Sequence, residues 1–262
     1  MIAASLAART ISERMGTMVR FERDMATPVL NATTEQLEEW IGRRTADGAE
    51  VTAGTKSTRH SQFSAFFKWA NLVELRTDNP MKQIQAARRP RATPRPTSPK
   101  GVHRMLDAAR AADDTEMIAM LLLTGYQGFR PHETAKMHGG HIDYDAETIW
   151  VKGKGGVEVE LPIHPFVLEH AKKMPAGHWF PSPRGPHICR QTVTERMRLH
   201  MIKCRVKGTP YCLRHFFGTE LVEQGADLRV VQELLRHASL ATTALYVAAS
   251  QTRRRAALDL LT

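Results

Sequence analysis

Apolar positions recur at helical spacing along most of this chain and alternate in only one stretch. Asn31 or Thr33 can cap a helix in which Leu37, Trp40 and Ile41 make one face. After Gly54, the residues Phe63, Phe66, Phe67 and Ala70 make a second, more apolar face, and Asn79-Pro80 marks a stop. Ser98-Pro99 opens a capped helix carrying Val102, Met105 and Leu106, and another runs through Met117, Met120 and Leu121 to Thr124. Gly125 and Gly128 then break the chain, and Pro131 starts a helix just after Arg130. From Ile142 to Ile163 the period drops to two. Thr148-Ile149-Trp150-Val151 and Val157-Glu158-Val159-Glu160-Leu161 flank Gly153-Lys154-Gly155-Gly156, which predicts a β-hairpin with a lysine at its tip. Helices return at about 165–174 and 189–203. Thr209 as N-cap and Pro210 in the first turn open the next one, which Gly225 ends after Leu221 and Val222. Leu228, Val231, Leu234 and Leu235 line a second helix of this group, and Ser239 caps a third that carries Tyr246. The pattern predicts a mostly α protein with a small antiparallel β-sheet. It also predicts two domains, 1–85 and 98–262, joined by a linker at 86–97.

Composition changes the picture at that linker. Ala86 to Lys100 holds four prolines and five basic residues with no acid, while residues 1–85 nearly balance at eleven basic against ten acidic. Proline at this density favours an extended, semi-rigid connector. Its arginines can simply keep it solvated. The whole-chain net charge of +10 favours contact with a phosphate backbone instead, through Arg88, Arg89, Arg91 and Arg95. Such a charge also occurs in proteins that never touch nucleic acid, so alone it only tilts the reading. Cys189, Cys204 and Cys212 are odd in number and unpaired in spacing, as expected of reduced thiols. The apolar run Met120–Leu123 is far too short to span a bilayer, and Arg9 and Glu13 interrupt the N-terminal apolar stretch. A soluble cytoplasmic protein, without membrane association, is the expectation.

Three polar side chains stand out in the packed C-terminal helices: Arg214, His237 and Tyr246. A guanidinium, an imidazole and a phenol can bind a phosphate, donate to its oxygens and attack its phosphorus. The same helices also fit a helix-turn-helix reader in which Tyr246 is an ordinary aromatic. Upstream, Arg130 lies between a glycine-broken loop and a helix start, with Glu133 three residues on to brace it. Arg196, Arg198, Lys203, Arg205 and Lys207 form a basic strip suited to phosphate contacts. His132, His138 and His141 cluster near a helix end, but their spacing fits no usual metal-ligand pattern, and they read as surface or DNA-facing. His215, next to Arg214, reads as a packing residue.

Taken together, TGYQGFRPHE at 124–133, VKGKGGVEVELPI at 151–163 and LRHFFGTELVEQGADLRVVQELLRHASLATTALY at 213–246 resemble the tyrosine recombinases, phage integrases above all. The resemblance covers 98–262, and the N-terminal helices match that family's core-binding domain more loosely. It implies an active site of Arg130, Lys154, Tyr211, Arg214, His237 and Tyr246, with Glu133 in support. It also implies DNA strand cleavage and rejoining through a 3′-phosphotyrosine, with no cofactor and no metal. The two domains are expected to clamp duplex DNA attachment sites from opposite sides as a tetramer, with a directionality factor as a further partner. Spacing is the specific part: 24 residues separate Arg130 from Lys154, 32 separate Arg214 from Tyr246, and 9 separate His237 from Tyr246. One position departs, since Tyr211 stands where the family usually has histidine. A phenol with a pKa near 10 is a poor base at neutral pH, so the acceptor of the Tyr246 proton is left open. A type IB topoisomerase shares this chemistry, and a DNA-binding regulator or inactive relative would bind without cutting. The basic tail Arg253–Arg255, followed by Ala256, Ala257, Leu258, Leu260 and Leu261, is expected to dock on a neighbouring protomer or to fold back on its own domain.

Overall fold

The structure, a computed structural model, describes residues 8–45, 48–88, 95–152, 158–237 and 239–249. The chain forms two compact units, Met1–Arg91 and Ala92–Thr262.

In the first unit, α1 (Ala8–Met25), α2 (Thr34–Gly42) and α3 (Ala53–Leu72) enclose an aromatic core. Thr33 caps α2 in a reciprocal box with Gln36, and Thr52 caps α3 through the backbone N–H of Thr55. Phe21, Trp40 and Phe63 meet edge to face at 5.4 to 5.9 Å, each ring coming from a different helix. Leu37, Ile41 and Phe67 complete that core. Phe66, expected on the same face, is half-buried beside Met15, Met18 and Trp69. Asn79 does more than mark a stop: its side chain caps a 3₁₀ turn, Pro80–Lys82, that delivers Met81 to the core.

The second unit is mostly helical with one small sheet, as the sequence pattern predicts. Its helices are α4 (Pro99–Ala111), α5 (Thr115–Gly125), α6 (Pro131–Ala135), α7 (Pro165–Ala171), α8 (Arg190–Lys203), α9 (Tyr211–Glu223), α10 (Leu228–Leu235) and α11 (Leu240–Ala249). Every residue from Ala119 to Gly125 is buried, so α5 is the central helix, packed against α4, α7, α8 and α9. A helix apolar on all sides has to lie inside. Its C-terminal end therefore opens into the middle of the unit, and the loop to Arg130 starts there.

The strands β1 (Ile142–Asp143), β2 (Thr148–Lys152) and β3 (Glu158–Pro162) form an antiparallel sheet in the order β1-β2-β3. The register pairs Ile149 with Leu161 and Val151 with Val159, which turns Ile149, Val151 and Leu161 inward and Trp150 outward. The hairpin tip with Lys154 lies outside the described residues, as do Arg89, Arg91 and the tail from 250.

One local expectation needs correction. Thr209 does not cap α9, because Pro210 already has helical dihedrals (φ −53, ψ −26) and itself occupies the cap position without a side-chain bond. Thr209 instead accepts the Cys212 N–H at its carbonyl. Among the described residues no helix is long and apolar enough to cross a membrane.

Candidate active site

Arg130 is placed by the break after α5. Gly128 has a φ of +65, and a Cβ there would fall 2.6 Å from the Phe217 ring, so glycine alone lets the loop pass under α9. Arg130 then serves as the N-cap of α6, with Pro131 in the first turn. Glu133 is fully buried and grips it twice. One carboxylate oxygen accepts the Arg130 backbone N–H at 2.7 Å and the other accepts its guanidinium at 2.9 Å. The expected brace is thus present.

A third arginine, not anticipated from the sequence, completes this cluster. Arg236 ends α10 in the left-handed region (φ 52), stacks on Phe129 and donates to Glu133 at 2.7 Å. Its own carbonyl accepts from the Arg130 guanidinium at 3.0 Å. Burial pushes the Glu133 carboxyl up, but Arg236, the Arg130 N–H and the Arg130 guanidinium outweigh it and hold the group below the usual carboxylate range. A signal did exist: a non-glycine residue directly after the last leucine of a helix, where the chain must reverse, needs compensating contacts. Replacing Arg236 with methionine keeps an unbranched stem and removes both the ion pair with Glu133 and the guanidinium over Phe129. Arg130 then loses its fixed fork, and DNA cleavage is expected to fall about tenfold to a hundredfold with little change in binding. Single-turnover cleavage measured beside a gel shift checks this. Unchanged cleavage would show that Arg130 is held without Arg236.

Arg214 extends from α9 into the same place and is wholly buried. It donates to the carbonyls of Gly128 and Leu235, and its Nε has no partner. Burial first, then the charges of Arg130 and Arg236, lower its pKa to about 10. Three guanidiniums thus surround one carboxylate, which leaves an excess of positive charge that a bound phosphate would relieve.

His237 and Tyr246 close the site from the other side. The His237 ring lies parallel to the Tyr246 ring at 6.3 Å, with its Nδ1 3.0 Å from the Thr243 hydroxyl. Burial and the three arginines lower its pKa to about 4, so the ring is neutral at pH 7. With the Thr243 hydroxyl donating to Nδ1, the neutral ring would carry its hydrogen on Nε2 and could donate it. Tyr246 is 2% exposed and packs so tightly on Gly218 that a Cβ there would fall 2.8 Å from the ring. Its burial raises the phenol to about 12, against the pull of Arg214.

Tyr211 sits at the start of α9, half exposed, and its ring meets the His215 ring edge-on at 4.9 Å. With Arg130 it borders a cleft of about 710 Å³ that is also lined by His132, Arg190, Gln191 and Thr194. His215 does not merely pack, as the sequence suggested. Its Nδ1 lies 3.1 Å from the Tyr246 hydroxyl.

The structure therefore gathers Arg130, Glu133, Tyr211, Arg214, His237 and Tyr246, from α6 and its cap, α9, the turn between α10 and α11, and α11 itself. It does not treat the basic strip as one surface. Arg196 is tied to Glu116 and Arg198 to Glu195, whereas Lys203, Arg205 and Lys207 are exposed. Arg88 and Arg95 are exposed as well. His138, His141, His178 and His187 form a string of rings 4.9 to 5.6 Å apart, and no metal-holding group of side chains occurs among the described residues.

Residues 96–253 match the phage integrase family. Among curated proteins, the chain is 31% identical to the tyrosine recombinase XerC of Rhodospirillum centenum over 79% of its own length and 65% of that protein's. It is 30% identical to the tyrosine recombinase XerD of Haemophilus ducreyi, over 86% and 80% respectively. Among solved structures, the integrase from mycobacterium phage Brujita is 42% identical, with a TM-score of 0.54 over 97% of this chain and 86% of that one. The Tn1549 transposon integrase, in complex with transposon right end DNA, shares the fold at 18% identity, with a TM-score of 0.75 over 98% and 94%. The chain belongs to the phage integrase family and is a site-specific DNA recombinase of the tyrosine type.

Proposed function

We propose that Tyr246 attacks the scissile phosphate of a duplex attachment site, leaving a 3′-phosphotyrosine and a free 5′-hydroxyl. The observation that carries this reading is the convergence of Arg130, Arg214, His237 and Tyr246, from three separate stretches of chain, on one electropositive site. Arg130 and Arg214 bind the non-bridging oxygens as charge builds on them, and His237 donates from Nε2. Tyr211 adds its hydroxyl from the rim of the cleft. Lys154, on the hairpin tip, protonates the leaving 5′-oxygen. The ester conserves the energy of the phosphodiester, so the hydroxyl of a second strand reverses the step without a cofactor.

Exchange between two duplexes needs two cuts on each, hence four protomers on DNA, with integration or excision of a phage or mobile element as the outcome and a directionality factor to choose between them. Such work takes place in the cytoplasm of a bacterial host. Incubation with a nicked duplex whose short cleaved end diffuses away should leave a protein–DNA adduct that survives denaturing electrophoresis. A protein that shifts the duplex in a native gel but leaves no adduct would be a binder only.

Arg88, Arg89, Arg91 and Arg95, with Lys203, Arg205 and Lys207, are assigned to the DNA backbone, together with Arg196 and Arg198 once their carboxylate partners yield to phosphate. Replacing Arg88 and Arg95 together with alanine should weaken binding on all sequences alike. The slope of log K against log salt should fall by about 2, near 0.9 per lost contact. An unchanged slope would remove the linker from the interface.

A further inference from the structure

We infer that His215 is the group that takes the proton from Tyr246, a role left vacant where Tyr211 stands at the start of α9. The inference rests on the tyrosine-nucleophile reading above. Its basis is geometric: His215 Nδ1 is 3.1 Å from the Tyr246 hydroxyl, within the range for a general base. The other candidates around the phenol are committed elsewhere. Glu133 is held by Arg130 and Arg236. Nδ1 of His237 faces Thr243, and its ring lies parallel to that of Tyr246. Tyr211 is itself a phenol and cannot accept a proton from another at neutral pH.

The placement follows from helix geometry. Tyr211 and His215 are four residues apart on α9 and so share a face, with their rings 4.9 Å apart and edge-on. Gly218, one turn further on, clears the space in which Tyr246 of α11 lies against that face. The charged and titratable groups facing His215 are Arg214 and Tyr211 on its own helix, Tyr246 on α11, and His237 just before it. Burial, then the neighbouring Arg214, holds the imidazole below its ordinary value, so it is neutral and able to accept at pH 7.

In the cleavage step the Tyr246 oxygen bonds to phosphorus while its proton passes to Nδ1 of His215. The bond from phosphorus to the 5′-oxygen breaks, and that oxygen takes a proton from Lys154. The negative charge of the reacting phosphate offsets the new imidazolium beside Arg214. On religation the incoming 5′-hydroxyl returns its proton to Lys154, and the departing phenolate recovers its own from His215.

The test is the pH dependence of adduct formation in single turnover on a nicked duplex, for the wild type, His215→Asn and His215→Ala. Asparagine can keep a hydrogen bond to Tyr246 but cannot take a proton, so a role in positioning alone would be rescued by it. Both variants are expected to bind DNA normally and to form adduct about a hundredfold to a thousandfold more slowly at pH 7. Their rates should climb about tenfold per pH unit toward pH 9, as hydroxide takes over. The wild-type rate should be flat from about pH 6.5 upward and fall only at lower pH, since burial and Arg214 hold His215 below its ordinary value. Wild-type speed in His215→Asn, or a wild-type rate that still climbs steadily to pH 9, would overturn the assignment. Should the wild type form no adduct, or Tyr246→Phe still form one, the underlying tyrosine reading fails rather than the role of His215.

Discussion

Tyr246→Phe will bind its duplex with near-normal affinity and form no covalent adduct. On the proposed reading binding rests on many cationic contacts, whereas the substitution removes only the phenolic hydroxyl. That oxygen bonds to His215, and the ring, not the hydroxyl, fills the space over Gly218 and beside His237. Phenylalanine preserves those ring contacts, so the fold should be retained, and a melting curve beside the gel shift would confirm it. The phenol in this structure is buried and held protonated well above neutral pH. On the same reading it becomes a nucleophile only when phosphate, arginines and a base act together, and removing its oxygen is expected to abolish the adduct completely. Adduct formation in this variant would place the nucleophile elsewhere, with Tyr211 the first to examine.

The arginines should separate into two kinds of loss. Arg130→Ala removes a half-buried donor from the Arg236 carbonyl and from Glu133, which keeps its bond from Arg236. Cleavage should fall about a hundredfold to a thousandfold, roughly 3–4 kcal/mol of transition-state stabilisation, with little change in melting temperature. Arg214→Ala should lose at least as much cleavage and also destabilise the catalytic unit by about 2–4 kcal/mol. Its guanidinium bridges the carbonyls of Gly128 and Leu235 in a site with no exposure, and alanine leaves the Leu235 carbonyl unsatisfied and the Gly128 carbonyl with only its 3.3 Å bond from Arg236, beside a cavity. Single-turnover rates and denaturant melts distinguish the two. Equal melting midpoints for both variants would show that the Arg214 bridge adds nothing to stability.

That second role of Arg214 marks where sequence reading stopped. Helical and two-residue periods located each helix of the second unit and the hairpin, because these patterns reflect which face is buried. Arg130 stood out at an element boundary, and Arg214, His237 and Tyr246 as polar residues among packed helices; their ordered spacing gained its meaning only from the resemblance to the tyrosine recombinases. The partner of Arg236 and the role of His215 were not legible. Arg236 acts through a left-handed backbone and a carboxylate more than a hundred residues away, a pairing that no local pattern announces. His215 follows Arg214 directly, so it looked like a neighbour of the site. Only the path of α11 across α9 brings Tyr246 to it. Thr209 misled because a threonine before a proline is a good cap on composition, while here Pro210 is already helical.

The most direct measurement is to locate the covalent bond. The protein would be trapped on a nicked duplex, digested and sequenced by mass spectrometry, to find which residue carries the 3′-phosphonucleotide. The modification is expected on Tyr246 alone, in the peptide that follows Arg236. A nucleotide on Tyr211, on any other residue, or on none despite a bound duplex would contradict the assignment of Tyr246 as the nucleophile.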